Sequence, residues 1–97
     1  RTTPSDPLTQ RFGRLLLRLR EEAGMSRLEL GRRAELNPSF IKRMEYGLQK
    51  PALHSIYRIA AVFDLSGSEL LARLEAMAPG RRRSDVIVVL LSPSPGD

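Results

Sequence analysis

The chain of 97 residues contains no cysteine. That excludes disulfide staples and thiolate metal sites, and it fits a reducing compartment such as the cytoplasm. One histidine, His54, is too few for an imidazole-built metal site or a catalytic triad. No apolar run reaches the roughly 20 residues that span a bilayer, and the start has no signal-peptide pattern. The first residue is Arg1 rather than Met, which fits a trimmed start or a fragment. Paired acids at catalytic spacing, a nucleophile–base set and a phosphate-cradling glycine pattern are also missing. These gaps point away from membrane proteins and enzymes, and no metal or cofactor is expected.

What the chain does have is positive charge. Sixteen basic residues face eleven acidic ones, the net charge is +5, and only Lys42 and Lys50 among the sixteen are not arginine. A basic surplus attracts polyanions, nucleic acid first among them. The length suits one domain with a small core.

Hydrophobic spacing predicts five helices. Residues 1–6 read as a flexible tail. Asp6 and Pro7 then read as an N-cap and first helical position, before an apolar stripe of Leu8, Phe12, Leu15, Leu16 and Leu19 that Gly24 closes. Ser26 and Glu29 have capping-box spacing at the head of a short helix carrying Leu30 and Ala34. A tight turn, LNPS, leads to a third helix over 38–46, opened by Asn37 and Pro38 and closed by Gly47. Only Ile41 and Met44 of that helix look fit for a core. A fourth helix carries Leu53, Ile56, Ile59, Ala60 and Phe63. A fifth, with a second capping box at Ser66 and Glu69, carries Leu70, Leu71, Leu74 and Met77. Short connections make this an all-α unit over 7–80. The tail departs from it. After a basic linker, Val86, Ile87, Val88, Val89, Leu90 and Leu91 form an apolar β-branched run that reads as a strand, and 92–97 reads as a second flexible tail.

Two short helices joined by a tight turn inside a small basic bundle form a helix-turn-helix, whose second helix is sized for the major groove of DNA. Over residues 12–74 the sequence resembles the Cro/CI-type (XRE-like) repressor family. The likeness runs through Leu19-Arg20, Gly24 and Ser26, then Glu45-Tyr46-Gly47, then Pro51. It implies double-stranded DNA as partner and 38–46 as the recognition helix. Ser39, Phe40 and Arg43 would face the bases, with Phe40 offering either an apolar base contact or local packing. Arg27, Asn37, Lys42 and Lys50 would lie near phosphates. The likeness also implies that Arg20 and Glu45 form a structural ion pair clamping the first helix to the third. Four positions depart from the family pattern: Arg27 for Gln, Gly31 for Ala, Glu35 for Gly in the turn, and Ala52 for a capping Ser. A positive φ at Glu35 would be strained, so a different turn is one expectation there.

Plainer readings stand beside these. Lys42 and Arg43 also fit a solvated helix face. Glu45 suits an ion pair better than acid catalysis, His54 a surface position, Ser26 and Ser66 capping, and Tyr57 packing rather than base stacking. For 86–91, pairing with a second copy in a homodimer is favoured. Packing on its own bundle and belonging to a longer chain remain open, since a lone strand leaves both edges unpaired. The expectation is a dimeric, sequence-specific regulator, a repressor acting by occupancy. The alternative is a protein-interaction module, an antitoxin or co-regulator, that takes a partner along the C-terminal strand.

Overall fold

A computed structural model describes residues 6–77. The expected strand at 86–91, the linker before it and the two tails lie outside the described residues, apart from Asp6. Five helices follow one another: α1 (Pro7–Glu22), α2 (Arg27–Ala34), α3 (Pro38–Glu45), α4 (Leu53–Val62) and α5 (Gly67–Ala76). There is no strand among the described residues.

The helix starts follow side-chain chemistry. Asp6, Ser26, Asn37 and Ser66 each accept a backbone N–H of the first turn. Ser66 and Glu69 make a full capping box, the carboxylate reaching back to the Ser66 N–H at 2.7 Å. Ser26 and Glu29 complete only half of one. The Ser26 hydroxyl accepts the Glu29 N–H, but the Glu29 carboxylate turns to Arg32 and Arg33 instead. Two guanidinium donors one turn ahead outcompete a single amide. Ala52 leaves α4 without a side-chain cap.

The helix ends repeat one device. In α1, α2, α3 and α4 a residue two or three past the helix donates its N–H to the carbonyl five residues back: Met25 to Arg20, Leu36 to Gly31, Leu48 to Arg43 and Leu65 to Ala60. This closure needs a left-handed residue just past the helix. Gly24 and Gly47 supply it for α1 and α3, Glu35 and Asp64 for α2 and α4. The turn between α2 and α3 is therefore the left-handed one after all, with Glu35 at φ 58° and ψ 46°. It folds the Leu36 carbonyl to within 2.5 Å of where a Cβ at position 31 would stand. The glycine at 31 and the turn geometry at 35 are thus physically connected.

The helices touch in a closed order: α1 on α3, α3 on α2, α2 on α4, α4 on α5, and α5 back on α1. Leu16, Leu30, Ile41, Met44, Ile59 and Leu70 fill the middle and are almost fully buried. Each contributes about 1.5–3 kcal/mol by leaving water. Leu8 and Leu53, placed on buried stripes by periodicity, are instead 56% and 67% exposed. Both sit in the first turn of their helices. The Tyr57 ring lies over Gly67, where a Cβ would collide with it, while the residue as a whole is 59% exposed. His54 is exposed.

The Glu35 carboxylate is exposed while its backbone carries the cost of the left-handed region, about 1–2 kcal/mol for a residue with a Cβ. Glu35→Gly is expected to raise stability by about 1 kcal/mol, shifting the urea midpoint upward with an unchanged slope. A lower midpoint would mean that the Glu35 side chain contributes more than its backbone costs.

Candidate nucleic-acid interface

The α2–turn–α3 unit presents one face of α3 outward. Ile41 and Met44 point inward at 0% exposure, while Ser39, Lys42 and Arg43 are exposed. Ser39 and Arg43 are one turn apart on the same side. Among the described residues no carboxylate pairs with Arg43. Asn37 uses its side-chain oxygen to cap α3, accepting the Ser39 N–H at 2.8 Å, which leaves its amide N–H groups to donate outward. Phe40 is half-buried and packed against the core, so the packing role left open in the sequence occupies part of its ring.

The inner edge of α3 is fixed by a carboxylate. Glu45 is buried, its side chain 1% exposed. Its Oε2 accepts Arg20 Nε at 2.6 Å, and its Oε1 accepts Arg20 Nη2 at 3.1 Å. A third donor arrives from α2: Arg27 Nε lies 2.9 Å from Oε1. Arg20 also donates to the Met25 carbonyl at 2.9 Å, which ties the α1–α2 turn to the same point. The hydrogen bond to Glu45 holds the Arg20 guanidinium more firmly protonated than usual, against a smaller opposing effect of burial. Gly13 completes the junction, since a Cβ there would collide with the Met44 and Glu45 carbonyl oxygens. Three helices therefore meet at one carboxylate, directly beneath the end of α3.

Around this clamp lie the other cations. Arg27, read from the sequence as a phosphate contact, is here held by Glu45, with a third of its side chain exposed. It stands 5.6 Å from the centroid of the Tyr46 ring, and Lys42 Nζ stands 5.8 Å from it. Lys50, in the loop after α3, reaches Asp6 at 3.7 Å. Sequence reasoning singled out neither Tyr46 nor Asp6 for this face. The spacing of Lys42 and Tyr46, one helical turn, was a usable signal. The approach of Arg27 and of Asp6 depends on how the helices cross and left no local mark. No group of three potential metal ligands occurs among the described residues. Nor is any described helix long and apolar enough to cross a membrane.

An exposed basic α3, set on a rigid α2–turn–α3 base, defines a helix-turn-helix domain. Residues 11–74 match the family described as "Helix-turn-helix domain". The chain belongs to that family and, with its structural neighbours, to the XRE-type regulators, which are not enzymes. It is similar to the restriction-modification controller protein C.AhdI from Aeromonas hydrophila, at 29% identity over 64% of this chain and 94% of that one, with a TM-score of 0.60. It is similar to SinR, a master regulator for biofilm formation solved in complex with DNA, at 31% identity over 62% and 97%, with a TM-score of 0.57. A third likeness is to the complex of SinR with the SinI protein, at 26% identity over 84% and 80%, with a TM-score of 0.60. No curated protein sequence matches the chain.

Removing the clamp's anion should be costly. Glu45→Gln is expected to lose about 2–3 kcal/mol, below the usual cost of breaking a buried pair because both arginines keep some access to water. Arg27→Ala should lose less than about 1 kcal/mol, since Arg20 still satisfies both carboxylate oxygens. Chemical denaturation of the two variants checks the order, and equal losses would contradict it.

Proposed function

We propose that the protein is a sequence-specific transcriptional regulator from a bacterium or phage that acts in the cytoplasm, a dimeric repressor that reads an inverted-repeat operator. The observation that carries this reading is the outward face of α3. Ser39 and Arg43, both exposed, project one turn apart from a helix whose opposite face is locked into the core. Arg43 is the base-reading residue, because a guanidinium presents two parallel donors that match the N7 and O6 acceptors of guanine. Ser39 reads an adjacent base edge, and the exposed part of the Phe40 ring lies against a thymine methyl. Arg27, Asn37, Lys42 and Lys50 hold phosphates on either side and set the register of α3 in the groove. The likeness to SinR, solved with DNA, supports the choice of partner.

A regulator of this kind acts by occupancy: two recognition helices fill successive major grooves and exclude polymerase. Two copies must then hold their α3 helices about 34 Å apart. Residues 81–91 are proposed as the dimer link, through strand pairing of 86–91, outside the described residues. A second reading, partner binding by an antitoxin or co-regulator, draws on the likeness to SinR in its complex with SinI.

The roles of Arg43 and Lys50 separate experimentally. Arg43→Ala should weaken binding to the preferred duplex by about 1–3 kcal/mol and relax the choice of base at one position. Lys50→Ala should weaken every duplex alike and reduce the salt dependence by about one phosphate contact. Binding isotherms on matched and mismatched duplexes at several salt concentrations make the comparison. Identical behaviour of the two variants on all sequences would overturn the assignment.

A further inference from the structure

Two of the three cations assigned to phosphates face a carboxylate in the unbound protein. Arg27 lies against Glu45, and Lys50 faces Asp6. The two carboxylates differ in kind. Glu45 is buried and remains paired with Arg20 whatever Arg27 does. Asp6 is at the surface, its side chain 46% exposed, and among the described residues Lys50 is the cation it faces.

Asp6 has a further property that makes it a fixed anion. Its Oδ1 accepts the Thr9 N–H at 2.8 Å and so caps α1. The cap holds the side chain in one orientation and leaves Oδ2 directed at Lys50 Nζ, 3.7 Å away. The bond from Thr9, more than the nearby Lys50, keeps the Asp6 carboxyl below its ordinary range, so it carries its charge at neutral pH. Capping alone does not require that charge, because Asn and Ser cap helices about as well as Asp. The charge therefore has room for a second role.

We propose that Asp6 competes with DNA phosphate for the Lys50 ammonium, so that the start of α1 limits the grip of the protein on any duplex. The inference rests on the DNA-binding reading above and deepens it. Binding exchanges carboxylate for phosphate at Lys50, and the Lys50–Asp6 attraction given up offsets part of the gain. Arg43, which no carboxylate among the described residues holds, is not subject to this exchange. Asp6 thus lowers sequence-independent affinity while leaving the choice of bases unchanged.

The test is Asp6→Asn in the full chain, which keeps a capping side chain and removes the charge. Thermal unfolding first establishes that the variant folds as the parent does. Binding is then measured on a short duplex of random sequence and on a duplex enriched by the parent protein, across a salt series. The variant should bind both duplexes about two- to fivefold more tightly at low salt. The gain should shrink as salt screens the charge. In a Lys50→Ala background the same substitution should gain little, because the competition runs through Lys50. Equal affinity of Asp6→Asn and parent would overturn the proposal while leaving DNA binding intact, as would a full gain in the Lys50→Ala background. A parent protein that binds neither duplex at low salt would instead remove the DNA-binding reading itself, and this inference with it.

Discussion

The buried Glu45 carboxylate is the point on which the other features depend. A lone carboxylate cannot be taken out of water without partners, and here it accepts three N–H donors from guanidinium groups on two other helices. The charge requirement thereby becomes a geometric one. Arg20 must come from α1, Arg27 from α2, and the end of α3 must lie between them. Gly13 lets the α1 backbone approach closely enough for this to happen. An apolar contact at the same place would bury as much surface but would tolerate sliding and rotation. Charge-assisted bonds do not, so the outward face of α3 is held in one orientation.

The outer face follows from the same arrangement. Once Ile41, Met44 and Glu45 are committed inward, Ser39, Lys42 and Arg43 have no direction left but solvent. The cations there form two groups. Arg27 and Lys50 rest against carboxylates, and Arg27 and Lys42 lie beside the Tyr46 ring. Arg43 has no carboxylate partner among the described residues. A division of this kind suits a protein that must leave most sequences quickly and stay on a few, because phosphate attraction acts everywhere while base reading acts locally.

Much of this was legible in the sequence. The helices announced themselves through apolar spacing and through the caps at Asp6, Ser26, Asn37 and Ser66, which are local signals. The helix-turn-helix followed from two short helices and a tight turn. What failed to show was anything set by the crossing of helices. Leu8 and Leu53 have the right period but are exposed at the starts of their helices. The half-finished capping box at Ser26 depends on where Arg32 and Arg33 point. Glu35 looked like a reason for a different turn. The backbone closure from Leu36 to Gly31, with glycine beneath it, holds the left-handed residue in place regardless. At the site, the exposure of Ser39 and Arg43 could be read from one helix. The capture of Arg27 by Glu45 required three.

The central claim is that residues Pro38–Glu45 read DNA, and selection of duplexes from a random pool at moderate salt tests it most directly. The account predicts enrichment of an inverted repeat whose half-site centres lie about one helical turn apart, roughly 34 Å. That result would establish sequence reading and a symmetric pair of α3 helices together. A pool that leaves the folded protein with no sequence enriched would contradict the claim and shift the account to a partner-binding module.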